Sequence, residues 1–340
     1  MAHNIQQYDS MLAVGQTPWH GLGVVMEQPP ATGLEALQVA GLDWTVTKRP
    51  MKIADSDAKV FITSSSVHRR SGEWGTVVRD DLYAQDPNHP HAQLGVVGPS
   101  FTPLQNRKMA SLFDVLIQDG KLQIETCGSL FNGKRVWMLG KFQNSETTID
   151  TNDTVRNYAL LAHGHDGTMA VRFGTTPIRV VCWNTLSAAV SSKSRSKLVS
   201  VLHTTAMEES LEVLAQTIVE GEKAFELSAD QFRLLVQKGV NRTQLREYAR
   251  LIIDAPEEAK QTAGQRTKIG QIVGAAMEGR GNRGSNWWHA YNGATEYLNY
   301  MDGRRADTRL NKLWFGENVD VSARALRLAI EMSGVETLAV

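Results

Sequence analysis

Two places in the chain carry side chains of the kind and spacing that chemistry needs. In His163-Gly-His165-Asp166, two imidazoles and a carboxylate fall within four positions, a set that could hold a divalent metal or divide the roles of acid and base. A metal-assisted hydrolase would be built on these three residues. However, Asp166-Gly167 between two strand-like runs is also an ordinary hairpin turn, no third ligand follows at a recognisable spacing, and no HExxH pattern occurs. The turn is the better reading, with no metal and no cofactor expected. The second place is a charge field. No acidic residue lies between Asp166 and Glu208, whereas Arg172, Arg179, Lys193, Arg195 and Lys197 do, in a chain whose 36 Lys and Arg balance 36 Asp and Glu. Positive charge that is local on a neutral chain suits an anion, a polyanionic strand above all. Lys134 and Arg135 would extend the track, and Trp183 or Tyr158 would offer a ring on which a base stacks.

Other candidates give way to plainer readings. The run Gly279-Arg-Gly-Asn-Arg-Gly284 leads into Trp287, Trp288, His289 and Tyr291, and cations beside rings recur in single-strand binding sites, at roughly 1–3 kcal/mol per stacked base. A glycine-rich loop followed by a helix with its rings in the core explains the same residues. Gly270 and Gly274 lack the Lys-Ser/Thr ending of a phosphate loop. His89 and His91, flanked by Pro87 and Pro90, read as loop residues. Cys127 and Cys182 lie in apolar strand-like runs, where burial raises a thiol's pKa and makes it inert, so neither a nucleophile nor a disulfide is expected.

The elements that must position these groups change character near residue 200. Before it, β-branched and aromatic runs at 44–53, 60–68, 75–79, 94–97, 122–129, 135–142, 156–162, 169–173 and 178–182 are separated by Gly, Asn, Asp and Ser. Two helices interrupt them. One follows Thr32, and one runs over 103–118 with Pro at its opening and Gly120 as its stop. Asn132-Gly133 predicts a two-residue type I′ hairpin turn. After residue 203 helical spacing prevails, with helices expected from Thr205 and over 228–237, 242–253, 262–278, 286–301 and 322–332. The expected class is α+β, a mostly antiparallel sheet with two helices over 1–200 and a helical region over 201–340. No window approaches eighteen uninterrupted apolar residues and no signal peptide is visible at the N-terminus, so a place in a host bacterial cytoplasm, away from membranes, is expected.

Five segments, in order, carry a family likeness: Trp19-His-Gly-Leu-Gly23; Phe101-Thr-Pro-Leu-Gln-Asn106; Gly128-Ser-Leu-Phe-Asn-Gly133 with Val136-Trp137; His165-Asp-Gly167; and Arg179-Val-Val-Cys-Trp-Asn-Thr-Leu186. The chain resembles the phage/plasmid-like proteins grouped as the domain of unknown function nine-thirty-two, from about residue 10 to 320. That resemblance implies a home on phage, prophage or plasmid DNA, and no settled catalytic activity. The order of short helix, antiparallel strands and long helix is also similar to the core of Rad-fifty-two-type single-strand annealing proteins. Such proteins hold DNA in the basic groove of a ring, without nucleotide or metal.

These readings combine into one expectation. The chain is a non-catalytic single-stranded DNA-binding or annealing recombination factor of a mobile element, acting by phosphate neutralisation and base stacking. A homo-oligomer larger than a dimer is expected from the rings Trp287, Trp288, Tyr291, Tyr297, Trp314 and Phe315, with Leu298, more than one thin helical layer covers by itself. The alternatives are the hydrolase and a protein that blocks a host defence complex.

Overall fold

The computed structural model describes residues 7–15, 23–50, 74–151, 153–179, 184–185, 199–207, 209–211, 221–303, 312 and 316–338. The strands are β1 (Met11–Val14), β2 (Val24–Met26), β3 (Val46–Pro50), β4 (Gly75–Arg79), β5 (Gln93–Val97), β6 (Leu122–Leu130), β7 (Arg135–Asp150), β8 (Asp153–Gly164), β9 (Val171–Arg179), β10 (Asn184–Thr185) and β11 (Val199–Val201). One sheet has the order β10-β9-β8-β7-β6-β1-β2, with β11 also on β9; the other is β3-β4-β5. The class is α+β with mostly antiparallel pairing, as the periodicity predicts. One exception is β1 with β2, which pair in parallel through Leu12 and Val24.

The helices are α1 (Gly33–Val39), α2 (Asp80–Gln85), α3 (Asn106–Gln118), α4 (Gly221–Val236), α5 (Arg242–Ile252), α6 (Ala263–Glu278), α7 (Trp287–Glu296) and α8 (Glu317–Ser333). Their starts follow local chemistry. The Thr32 side chain accepts from the Glu35 amide, and reciprocal capping boxes open α5 at Asn241/Gln244 and α6 at Thr262/Gln265. Several boundaries differ from expectation. Helix α3 opens at Asn106 rather than at Pro103, and the short α2 was not anticipated. The runs 169–173 and 178–182 are read as separate strands, but one strand, β9, continues through Gly174-Thr-Thr-Pro177. The hairpin is not a two-residue turn either: Phe131, Asn132 and Gly133 all have positive φ, in a four-residue connection between β6 and β7.

Contacts divide the chain into two units, and not at a single cut near residue 200. The first is Met1–Gly140, Leu160–Phe173 and Ser200–Gln216; the second is Lys141–Ala159, Gly174–Val199 and Thr217–Val340. A cut by periodicity misses this because β7, β8 and β9 are long enough to serve both units with one hydrophobic pattern. In the first, Met109, Leu112, Phe113 and Leu116 of α3 are buried, as are Leu37, Ile124, Cys127 and Met138. In the second, every residue of α7 is buried, and Gly293 lets the helix approach Ala276 of α6 so closely that a Cβ would stand 2.5 Å from the Ala276 nitrogen. Trp288 of α7 donates its indole N–H to Asp153 Oδ2 of β8 at 2.7 Å.

Candidate functional site

In the first unit five rings follow one another: Trp44, His165, His163, His203 and Phe101. Their centroids are spaced 5.4, 4.7, 6.4 and 4.6 Å along that series. His163 and His165 are fully buried at the end of β8, and His203, after β11, is nearly so. Hydrogen bonds assign two of the tautomers. The Asn106 amide donates to the Leu42 carbonyl, so its Oδ1 accepts from His165 Nε2 at 3.3 Å and leaves His165 Nδ1 a bare lone pair. His203 Nδ1 donates to the Thr102 carbonyl at 3.2 Å, and the Met169 backbone is a second partner of the ring. Neither nitrogen of His163 has a partner. A neutral His163 therefore carries one N–H and one lone pair on a ring that lies edge-on to His165, whose Nδ1 has no partner.

Burial keeps all three rings neutral. Desolvation, then the neighbouring His165 and His203, hold His163 well below the usual imidazole range. Desolvation, with smaller terms from His203 and Arg79, pushes His165 down to about 3. His203 is lowered mainly by burial, against its bonds to the Thr102 and Met169 backbone and the charge of Asp166. Among the described residues, no group of three His, Cys, Asp or Glu side chains could hold a metal ion. Asp166 closes its own turn, Oδ1 accepting from both the amide and the hydroxyl of Thr168, and Gly167 takes φ +76°. The turn predicted at Asp166-Gly167 is present; the imidazoles beside it are core groups rather than turn residues.

At the other end of the series the Arg79 guanidinium lies over Trp44, 4.6 Å from its ring centre. It grips Asp81 with two hydrogen bonds and donates to the Tyr8 carbonyl. Here stands a second, half-buried cluster of Tyr8, His89, His91 and Asn132. The rings of Tyr8 lie 4.9 Å from His89 and 5.1 Å from His91, which are 5.9 Å apart. Two successive turns fix the loop that carries the histidines: the His89 amide donates to the Asp86 carbonyl and the Ala92 amide to the His89 carbonyl. Sequence reasoning had passed over both histidines as loop residues. The signal that could have found them was the spacing His89-Pro90-His91, which locks two imidazoles onto one tight turn.

The expected DNA-binding residues fall out unevenly. Lys134 and Arg135 stand half-buried at the hairpin, where the His165 amide donates to the Lys134 carbonyl at 2.8 Å. Arg135 donates to Thr168 Oγ1 at 3.0 Å and lies over Phe131; burial lowers its pKa, partly offset by Asp166. Arg172 is half-buried on β9, with its Nε enclosed and unpartnered. Arg179 ends β9 opposite Asn184, and its side chain lies outside the described residues, as do Trp183, Lys193, Arg195 and Lys197. Tyr158 is a correction: it is completely buried in β8 and presents no face to a base. Strand periodicity alone could not distinguish an inward from an outward tyrosine. Cys127 is buried as expected, its thiol pushed up to about 12 by desolvation.

Two clefts open among the described residues. One of about 580 Å³ opens beside Trp44, Thr45, Thr47, Asp80, Gln105 and Arg107. Its polar walls are already engaged, Asp80 by both threonines, Gln105 by the Val46 backbone and Arg107 by Asp43. The other, about 900 Å³ in the helical unit, mixes Arg242, Arg246, Arg250 and Arg266 with Glu247, Glu257, Glu258 and Glu278, so its charges largely compensate.

The segments Phe101–Asn106, Gly128–Gly133 and His165–Gly167 thus meet around one ring series, through Phe101, Asn106, Asn132, Gly133 and His165. The sequence profile of the domain of unknown function DUF932 matches residues 93–314, well over half of the chain. The chain belongs to the DUF932 family. No curated protein and no solved structure matches it.

Proposed function

We propose that this DUF932 protein binds single-stranded nucleic acid by neutralising its phosphates, as an annealing or recombination factor would. The observation that carries the reading is the joining of separate cations at one turn. The hairpin with Lys134 and Arg135 is hydrogen-bonded to the 165–168 turn, and that turn feeds directly into β9 with Arg172 and Arg179. Strand β11, two residues beyond Lys197 in sequence, pairs with the same β9. Within the first unit, Lys134, Arg135 and Arg172 are therefore gathered at one turn and the strand it feeds. The hydrolase reading has less support, because Asp166 is committed to Thr168 and the two imidazoles are enclosed.

The test is a mobility-shift titration with single- and double-stranded oligonucleotides at several salt concentrations. Single strands should bind without sequence preference, with log affinity falling against log salt by about 0.7 per phosphate neutralised. Replacing Lys193, Arg195 and Lys197 together by Ala should flatten the slope by about 2 if each meets a phosphate. Binding whose slope survives the triple replacement would take the charge field out of the site.

A further inference from the structure

We infer that Tyr8 and His91 form a phosphodiester-binding subsite beside the hairpin cations. The inference deepens the nucleic-acid reading and rests on the direction of four hydrogen bonds. The Tyr8 amide donates to Asn132 Oδ1 at 3.2 Å, which fixes the orientation of that side-chain amide. Asn132 Nδ2 then faces His91 Nδ1 at 3.2 Å; an amide nitrogen only donates, so Nδ1 accepts and the proton of His91 sits on Nε2. The His91 backbone N–H donates to His89 Nδ1 at 3.2 Å, so the proton of His89 also sits on Nε2. His89 Nε2 therefore donates to the Tyr8 hydroxyl at 3.1 Å. The chain of bonds terminates in two outward donors, the Tyr8 O–H and the His91 Nε2–H, neither of which has an acceptor among the described residues.

A half-buried site whose free groups are all donors selects an acceptor with several oxygens. The nearby carboxylates do not compete for it. Asp9 is buried and accepts from Ser129 Oγ and the Gly133 amide, Asp81 is held by Arg79, and Asp86 accepts from the Asn88 amide. Lys134 and Arg135 follow Asn132 and Gly133 immediately in sequence, which puts two cations on the same hairpin. Ring faces at Tyr8 and His91 add a surface for the adjoining sugar or base. A phosphodiester oxygen meets all of these conditions; a neutral carbonyl would leave the cations unused.

The test uses the full-length protein with Tyr8→Phe and His91→Gln. Neutral donors release no counterions, so each variant should bind single-stranded oligonucleotide about two- to tenfold more weakly with an unchanged salt slope. Circular dichroism and thermal melting should match the parent. Inorganic phosphate, titrated while the His91 ring resonances are followed by nuclear magnetic resonance, separates failure of this inference from failure of the nucleic-acid reading. Phosphate-dependent shifts at His91, diminished by Tyr8→Phe, support the subsite even if oligonucleotides do not bind. Absence of those shifts, or parental oligonucleotide affinity in both variants, overturns it.

Discussion

His163 has no hydrogen-bond partner at either nitrogen and stands between the rings of His165 and His203. Such a pocket rejects protons only because charging any one ring means solvating an ion inside the core. In the unfolded chain the same imidazoles titrate near 6.5. Below that value the unfolded state takes up protons that the folded state refuses, so their contribution to stability is complete above pH 6.5 and is lost as pH falls toward the depressed folded values. For His165, whose folded value is about 3, the loss spans nearly the whole acid range. Between pH 7 and 5, where carboxylates contribute little, each fully depressed imidazole should cost about 2 kcal/mol. Urea unfolding of the parent and of His163→Phe at the two pH values measures this. The variant should lose about one imidazole's share of the pH dependence, and an undiminished dependence would mean that His163 is charged or exposed in the folded protein.

Among the elements, the β6–β7 hairpin does the most to join the two histidine clusters. Its connection holds three consecutive positive φ angles at Phe131, Asn132 and Gly133, of which only the glycine adopts its own without cost. Gly133 is also tightly packed, so that a side chain would press on its neighbours. A Cβ there would stand 3.1 Å from Trp44 and 3.4 Å from Arg79, while its amide donates to Asp9 at 2.8 Å. Gly133→Ala should therefore destabilise the fold by about 1–3 kcal/mol, and loosen Tyr8 and His91 along with it. Chemical denaturation checks the first effect and the phosphate-dependent His91 shift the second. A neutral replacement would mean that the turn relaxes without involving Trp44.

For the molecule as a whole, the described rings of the C-terminal region lie inside the helical unit and not on its surface. Trp287, Trp288, Tyr291, Tyr297 and Leu298 are all buried within the helical unit; Phe232 contacts both Trp288 and Tyr291, and Tyr248 meets Trp287 edge-on. Trp314 and Phe315 lie outside the described residues. What remains in favour of a homo-oligomer is electrostatic: a neutral chain gains avidity for a polyanion when a modest basic patch is repeated around a ring. Light scattering after size exclusion, with and without oligonucleotide, should then give a mass above two chains. A mass near 37.6 kDa in both conditions would remove the ring and with it the annealing form of the proposal. No helix among the described residues is long and apolar enough to cross a membrane.

Local rules in the sequence determined the class, most strands and helices, the helix caps at Thr32, Asn241 and Thr262, the Asp166-Gly167 turn and the inert Cys127, because each depends on residues within a turn or two of one another. The charge field was equally plain, being a matter of counting. Tertiary structure alone decided that Tyr8 meets His89 and His91, that His203 joins His163, and that Tyr158 faces inward. Period-2 alternation says that a strand has two faces but not which of them another element will cover, and contacts across some forty to eighty residues of chain leave no trace in local spacing. The same limit hid the double use of β7, β8 and β9, since one continuous apolar pattern serves both units and only packing assigns its halves.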